Sequence, residues 1–282
     1  MTRSVHYAMV APAVLLLLLL WVAPLVGVAV LSLQDSSLLT SSWVGLRNYV
    51  VMFRDPRWIT ALVNSLVYSG ISVFLGIGLG AAVAFPTSGM PKRIRGLVRV
   101  AIYLPSMSAG IIISQLWLVI FSSGGLANTI VAGLGLPPVK WLTERWPAIF
   151  VIGCTVQMAI VGTIVVVIGS ALEGVPKELR EAARLDGAST AQVWRYVDLP
   201  WVAGAVALMA LTGLASGFTM WETPWVLTRG GPDGATATAI YAAWESAFSR
   251  QRYGMAAAQS VVLLGAIMLI AGVVQRVRKW LG

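Results

Sequence analysis

Six long apolar stretches constrain the fold of this 282-residue chain more than any other feature of its sequence. Hydrophobic residues make up 58% of the chain and charged residues 11%, whereas soluble domains carry about a quarter charged residues. A helix of roughly 20 apolar residues is long enough to cross a bilayer. We therefore predict an all-α integral membrane protein, a single domain over residues 1–282, with six transmembrane helices. The predicted spans lie near Ala8–Leu33, Ala61–Phe85, Val98–Phe121, Ala148–Leu172, Val202–Trp221 and Met255–Val274.

The formal net charge of +9 comes from short basic clusters between these stretches, which favours membrane orientation over nucleic-acid binding. If the N-terminus is inside, the inner segments hold 12 basic residues and the longer outer loops hold 8. Positive charge concentrates on the cytoplasmic side of membrane proteins. We expect both termini in the cytoplasm, together with the polar segment between the fourth and fifth spans, and no nucleic-acid partner.

Several kinds of chemistry are excluded by composition. The chain has one histidine, His6, and one cysteine, Cys154, so we expect no catalytic residues and no metal site. It also lacks a glycine-rich phosphate-binding loop of the Gly-x-x-x-x-Gly-Lys-Ser/Thr type, so it cannot hydrolyse ATP alone.

Gly76 and Gly80 form a Gly-x-x-x-Gly pair that lets two helices approach closely, and we expect it to pack within the subunit.

The segment of about 173–200 is polar and charged although it separates two apolar spans. Pro176 suits a first helical turn, and Lys177–Arg184 predicts a short helix. Leu179, Ala182 and Ala183 share one face of this helix, which could enter a narrow cleft with Leu179 as its apolar anchor.

The second half of the same segment predicts a turn and another helix. Asp186 and Gly187 end the first helix, because glycine readily adopts left-handed geometry. Ser189 and Gln192 match a capping box that starts a second short helix, and Pro200 is expected to end it. A plain solvated connector is the alternative, but it would not need two capped helices joined by a hinge.

The residues Glu181-Ala182-Ala183, then Gly187, then Leu199-Pro200 resemble the cytoplasmic loop of permease subunits of binding-protein-dependent ABC importers. The resemblance covers nearly the whole chain after the first dozen residues. It implies a type I ABC importer permease architecture with a cytoplasmic coupling helix, in the inner or plasma membrane of a prokaryote. It also implies that Glu181, Ala182, Ala183, Asp186 and Gly187 couple the chain to a separate ATPase, with Leu179 as the anchor.

Further motifs resemble carbohydrate permeases, in particular the first member of their paired subunits. They include Val44–Tyr49, Leu62–Leu66, Gly125–Asn128 and, most specifically, Leu227–Pro232 followed by Thr236 and Thr238. One departure is the run Phe218–Glu222, where such permeases often carry Asn or Asp, so the identity of the solute stays open.

The partners implied by the resemblance are a second permease, two ATPase subunits that bind ATP and Mg²⁺, and an extracytoplasmic solute-binding protein. Membrane lipid surrounds the spans, and no cofactor is expected in this chain. An alternative solute is glycerol phosphate or another polyol. An ion-coupled secondary transporter is a weaker alternative, because no internal repeat is apparent and only Glu222 approaches a deep ionisable position. A membrane-embedded enzyme is disfavoured by the absence of a His, Cys or carboxylate cluster.

Polar side chains inside spans are costly and face a partner or an aqueous path. The candidates here are Asn64, Ser65, Tyr68, Ser114, Gln115, Trp117, Gln157, Thr163, Ser216, Thr219, Trp221 and Glu222. Gln157, Thr219, Trp221 and Glu222 are the predicted solute contacts, because they lie in the two spans that flank the loop. The alternative is a structural role, in which these residues hydrogen-bond between helices, Glu222 pairs with Arg229 or Arg250, and Trp221 is an interfacial anchor.

Overall fold

The computed structural model describes residues 3–37 and 40–281, with the side chains of residues 9–37 and 40–276. These residues form two compact units. The first consists of residues up to Ile59 together with Ala242–Ala266, and the second consists of Thr60–Tyr241 together with residues from Ile267 onward.

The first unit begins with an apolar helix in two α-helical parts, α1 (Arg3–Leu17) and α2 (Ala23–Leu31), joined by a π-helical turn. A two-stranded antiparallel hairpin follows, β1 (Gln34–Ser36) with β2 (Ser41–Trp43), and then α3 (Arg47–Arg54). The Asn48 side-chain amide donates to the carbonyl oxygens of Ser32 at 2.9 Å and Gln34 at 2.8 Å. This residue therefore ties α3 to the end of the apolar helix.

Each of the remaining helices lies wholly in the second unit or has residues in both units. They are α4 (Pro56–Ser88), α5 (Lys92–Tyr103), α6 (Gly110–Ile120), α7 (Leu126–Gly133), α8 (Arg145–Glu173), α9 (Lys177–Leu185), α10 (Thr190–Val193), α11 (Leu199–Thr219), α12 (Glu222–Leu227), α13 (Ala239–Trp244) and α14 (Tyr253–Leu281).

The predicted spans correspond to long helices, with one exception. Five helices of the described chain are long and apolar enough to cross a bilayer: Met9–Leu31, Pro56–Ser88, Arg145–Glu173, Thr190–Thr219 and Tyr253–Arg276. The third predicted span is instead a pair of helices, Lys92–Met107 and Gly110–Ile120, bent by 92°. The number of spans is six only if this bent pair counts as one.

The third predicted span, Val98–Phe121, is therefore broken into two helices, and the backbone shows why. Pro105 lies in a short 3₁₀ turn, Leu104–Met107. Ser108 and Ala109 are extended, with ψ of 145° and 136°. Proline lacks an amide hydrogen, and two extended residues cannot continue a helix. The turn packs on α8 at Gly162, where a Cβ atom would overlap Ser106 Oγ and the backbone of Ile102 and Tyr103.

Helix α4 contacts two other helices at glycines. On one side, Gly76 and Gly80 of α4 lie against Ile164 of α8, as expected for packing within the subunit. On the other side, Gly217 of α11 meets the backbone of Ser65 and Ser69 of α4. Ser69 Oγ also donates to the carbonyl oxygen of Leu214 at 2.6 Å. A buried apolar cluster continues along the same three helices, with members Ala84, Phe85, Ile164, Ile168, Leu172, Val202 and Met209.

A methyl group placed in the contact between α4 and α11 tests this packing. Gly217→Ala would drive a Cβ atom into the backbone of Ser69, and overpacking of this kind typically costs about 1–3 kcal/mol. We expect a lower midpoint of thermal unfolding for the detergent-solubilised protein. Gly78→Ala is the matched control, because a Cβ atom there meets nothing within 4 Å. Equal midpoints for the two variants would contradict the packing.

Candidate functional site

The loop that joins α8 to α11 is built from two short helices, as its sequence predicts. Helix α8 ends at Glu173, and Pro176 in an extended conformation precedes α9, which covers Lys177–Leu185. The predicted helix, Lys177–Arg184, agrees with α9 to within one residue.

The turn after α9 is a Schellman motif, the glycine-dependent end of a helix. Gly187 has φ of +82°. The Ala188 amide donates to the Ala183 carbonyl oxygen at 2.9 Å, and the Gly187 amide donates to that of Arg184 at 3.0 Å. These bonds satisfy carbonyls that a helix end would otherwise leave without partners. The predicted role of Gly187 as the helix breaker is confirmed.

The predicted capping box is also present. The Ser189 amide donates to Gln192 Oε1 at 2.7 Å, and the Gln192 amide donates to Ser189 Oγ at 3.4 Å. The expectation that Pro200 ends this second helix is wrong, since a helix runs without interruption over Thr190–Thr219. A π-helical turn at Trp194–Asp198 comes directly before Leu199-Pro200. Such turns accommodate local breaks in the α-helical hydrogen-bond pattern, and proline cannot donate to that pattern.

A buried ion pair that the sequence interpretation missed holds the loop in place. Arg180 Nε lies 2.7 Å from Asp198 Oδ1, and Arg180 Nη2 donates to the Leu172 carbonyl oxygen at 3.0 Å. The Asp198 side chain is 2% exposed. One arginine therefore links α9 to the end of α8 and to the start of the fifth span. The available signal was Asp198 itself, because an acidic residue beside an apolar span needs a partner when it is buried.

The outer face of α9 is exposed. Glu181, Ala182, Asp186 and Gly187 are exposed, Leu179 is 47% exposed, and Ala183 is half-buried. Leu185, which the sequence interpretation did not single out, is 89% exposed. The exposed leucines and small residues form a surface that a second protein could cover.

Three of the polar span residues considered as solute contacts serve the fold instead. The Asn64 amide donates to the carbonyl oxygens of Ala235 at 2.9 Å and Ala237 at 3.0 Å. Ser65 Oγ accepts from the Ala239 amide at 2.9 Å, and Tyr68 OH donates to the Thr236 carbonyl oxygen at 3.4 Å. These side chains anchor the segment that follows α12 to helix α4.

The segment after α12 has its own internal hydrogen bonds. The hydroxyls of Thr228 and Thr236 lie 2.7 Å apart, and Thr236 also donates to the Gly231 carbonyl oxygen at 2.8 Å. Thr238 Oγ1 donates to the Met220 carbonyl oxygen at 2.6 Å. Thr236 and Thr238 are both fully buried. The loop motif of Leu227–Pro232 with its two threonines is thus a folded element.

The four predicted solute contacts lie in different surroundings. Gln157 is 6% exposed and lies beside Gly76 of α4, and its Oε1 has no hydrogen-bond partner within the described chain. Thr219 is exposed, and its hydroxyl bonds to the carbonyl oxygens of Ala215 and Ser216 in its own helix. Gln157 therefore faces α4, whereas the other three lie at the end of α11 and the start of α12.

Glu222 and Trp221 are both half-buried. The Glu222 carboxylate lies against Gly110, the first residue of α6, where an added Cβ atom would fall on Glu222 Oε2. One turn further, Ser114 Oγ donates to Thr223 Oγ1 at 3.3 Å. Trp221 packs near Trp225, with ring centroids 6.0 Å apart. Of the two arginines considered as partners of Glu222, Arg250 pairs instead with Glu245 at 3.1 Å.

No grouping suited to a metal ion occurs in the part of the chain that the structure describes: no three His, Cys, Asp or Glu side chains come together there.

Two curated proteins are similar to this chain over most of its length. The arabinooligosaccharides transport system permease protein AraP of Halalkalibacterium halodurans is 28% identical over 272 residues, which cover 95% of this chain and 86% of that protein. The diacetylchitobiose uptake system permease protein NgcF of Streptomyces coelicolor is 30% identical over 254 residues, covering 86% of this chain and 72% of that protein.

A solved structure has the same fold. It is a bacterial alginate ABC transporter in complex with an alginate pentasaccharide-bound periplasmic protein. The superposition has a TM-score of 0.82 at 22% identity and covers 96% of this chain and 92% of the other. The fold is therefore that of a type I ABC importer permease.

The family match agrees with this fold and with the motifs of the loop. Residues 73–280 match the family described as the binding-protein-dependent transport system inner membrane component. Because the match extends over most of the chain, the protein belongs to this family of membrane transport components.

Proposed function

We propose that the chain is a permease subunit of an ATP-driven importer for a sugar or sugar-like solute. The observation that carries the proposal is the loop of residues 173–200, whose exposed helix, Schellman turn and capping box accompany a family match over residues 73–280. The names of the two relatives, an arabinooligosaccharide permease and a diacetylchitobiose permease, support a carbohydrate as the solute. Alternatives of another transport class receive no support from these similarities.

Coupling to a separate ATPase would occur through α9. Leu179 and Leu185 offer exposed apolar area, and the small side chains of Ala182 and Ala183 allow close approach to a partner surface. Glu181, Asp186 and Gly187 complete this surface. ATP and Mg²⁺ would bind to the ATPase, and nucleotide binding would shift the permease between two packings of its helices.

The complete importer would contain this chain, a second permease, two ATPase subunits and an extracytoplasmic binding protein that delivers the solute. The family description names such a binding protein as part of the system. The segments predicted to be inside hold 12 basic residues and the longer outer loops hold 8, and this asymmetry supports cytoplasmic termini.

Solute would contact Gln157, Thr219, Trp221 and Glu222 along its path. The buried Oε1 of Gln157 supports a role for this residue, because it has no hydrogen-bond partner in the described chain and a buried acceptor without a partner is costly. Glu222 supplies a carboxylate acceptor for sugar hydroxyls, and the Trp221 indole supplies an apolar face for a sugar ring.

Three predictions test the proposed function, and the first concerns the turn at Gly187. Gly187→Val should weaken ATPase association and coupling, because left-handed geometry costs a residue with a Cβ atom about 1–2 kcal/mol. Space does not limit this position, since a Cβ atom there meets nothing within 4 Å. Gly187→Asn is the matched control, because asparagine tolerates left-handed geometry. Co-purification with the ATPase and binding-protein-stimulated ATP hydrolysis in proteoliposomes measure the effect. Full association and stimulation in the valine variant would refute the role of the turn.

The second prediction concerns the solute path. Glu222→Gln and Trp221→Leu should each reduce uptake of labelled arabinotriose or diacetylchitobiose by the reconstituted complex, with complex yield unchanged. Loss of a charged acceptor typically costs about 1.5–3 kcal/mol, which corresponds to roughly tenfold or more. Glu144→Gln serves as the control, because its exposed carboxylate lies 4.0 Å from Lys140 Nζ at the protein surface.

Three outcomes of the uptake experiment are decisive. Uptake of neither sugar, with uptake of L-histidine instead, would overturn the carbohydrate assignment. Unchanged sugar uptake in both variants would remove Glu222 and Trp221 from the path. Loss explained wholly by failed assembly would assign them to the fold.

The third prediction concerns orientation. Single cysteines at Ser4 and Gly282, in a Cys154→Ala background, should resist a membrane-impermeant maleimide in intact cells. The side chain of Ser4 and all of Gly282 lie outside the described residues, so only the experiment addresses them. A cysteine at Ser123, in the predicted second outer loop, should react and serves as the positive control. Labelling of either terminus in intact cells would reverse the topology.

A further inference from the structure

A cluster of three charged side chains lies where α5 meets the end of α8. Arg99 Nη1 is 2.7 Å from Glu173 Oε1, and Arg95 Nε is 3.3 Å from the same oxygen. Arg95 also donates from Nη1 to the Ser88 carbonyl oxygen at 3.3 Å. Glu173 is therefore a single carboxylate shared by two guanidinium groups.

The two arginines of the cluster are largely removed from solvent, whereas the carboxylate is partly exposed. The side chains of Arg95 and Arg99 are 14% and 16% exposed, and that of Glu173 is 43% exposed. Arg99 Nε and Nη2 are buried and have no hydrogen-bond partner within the described residues. A buried guanidinium group in this position depends on its one carboxylate, since removing the partner of a buried charge is strongly unfavourable.

A glycine in α8 makes room for this arrangement. A Cβ atom at Gly169 would fall on the Arg99 guanidinium group, at 2.9 Å from Cζ and 3.0 Å from Nε. Gly169 lies one helical turn before Glu173, so the Arg99 side chain extends along the α8 surface between the two. Both the charge and the shape of α8 therefore fit this arginine.

The cluster connects the end of α8, to which α9 is bonded, with the first half of the bent third span. Glu173 is the last residue of α8, next to Leu172, whose carbonyl oxygen accepts from Arg180 of α9. Arg95 and Arg99 belong to the first half of the bent third span, α5 and its 3₁₀ turn. The second half, α6, is held by α12, through the contacts of Gly110 with Glu222 and of Ser114 with Thr223, and by the middle of α8, where Trp117 Nε1 donates to Met158 Sδ at 2.8 Å.

We propose that Glu173 is a positioning residue that joins the loop of residues 173–200 to the first half of the third span through Arg95 and Arg99. A displacement of α9 then reaches α5 by way of Arg180, the end of α8 and this cluster, while α6 stays with α12 and the middle of α8. The bend at Ser108–Ala109 lies between the two halves and absorbs their relative movement. This inference rests on the proposed coupling of the loop to an ATPase.

The test measures sugar uptake per ATP hydrolysed by the complete importer in proteoliposomes, normalised to assembled complex. Glu173→Gln and Arg99→Gln should each lower this ratio by roughly five- to tenfold, which is in the lower part of the range for energies that couple two sites. Association with the ATPase and basal ATP hydrolysis should persist, because the surface of α9 is unchanged. The charge-swapped pair Glu173→Arg with Arg99→Glu should regain most of the ratio, since Arg95 then also faces the new carboxylate.

A pair of glycine variants separates the cluster from general effects on helix packing. Gly169→Ala should lower the ratio as Glu173→Gln does, because the methyl group displaces the Arg99 guanidinium group. Gly204→Ala, in α11, should behave as the unaltered chain, because a Cβ atom there meets nothing within 4 Å.

The outcomes distinguish this proposal from the proposed function. If the unaltered complex takes up sugar with ATP and the ratio is unchanged in Glu173→Gln and Gly169→Ala, the cluster does not transmit movement and the inference fails alone. A loss that the charge swap leaves in full would also overturn it, in favour of a purely structural role. If the unaltered chain neither binds an ATPase nor supports ATP-dependent uptake, the coupling itself is refuted and the inference fails with it.

Discussion

Helix α4 touches its neighbours at places where one of the two helices presents no side chain. Gly76 and Gly80 receive Ile164 of α8, and the backbone at Ser65 and Ser69 receives Gly217 of α11. Within a bilayer, helices gain little from hydrophobic burial against one another, so close van der Waals contact and hydrogen bonds hold them together. The apolar cluster that continues along the same helices reaches Leu172 at the end of α8 and Val202 near the start of α11. Those two ends determine where the loop of residues 173–200 begins and ends.

Between these two points the loop combines local and tertiary structure. Its helices, its turn at Gly187 and its capping box follow rules that act within a few residues. Its attachment depends on Arg180, which reaches both Leu172 and Asp198, residues that are 8 and 18 positions away in the chain. The loop presents an exposed surface in a defined position, because a buried ion pair holds its base while the outer face of α9 makes no ion pair among the described residues.

Polar side chains in the spans divide into two groups according to their surroundings. Asn64, Ser65 and Tyr68 bond to the backbone of the segment after α12, which gives partners to the Asn64 amide nitrogen and to the two hydroxyls, while Asn64 Oδ1 stays buried without a partner in the described residues. Gln157 and Glu222 have different neighbours: the first lies beside Gly76 with a buried acceptor to spare, and the second lies at the beginning of α6. Residue type does not separate these groups, because an amide or hydroxyl in a span serves a structural partner and a solute equally well.

The amino-acid sequence by itself determined the features that depend on neighbouring residues and on average polarity. The apolar stretches predicted the long helices, and Gly187, Ser189 and Gln192 predicted the ends of short ones, because backbone geometry and capping are local. Only the tertiary structure decided what depends on distant contacts: the bend in the third span at Ser108–Ala109, where α8 offers Gly162 to receive it, and the continuation of the helix through Pro200. The pairing of Arg180 with Asp198, and of Arg95 and Arg99 with Glu173, was likewise decided there. A charge can pair with any opposite charge that the fold brings within reach, and the chain order does not say which one that is.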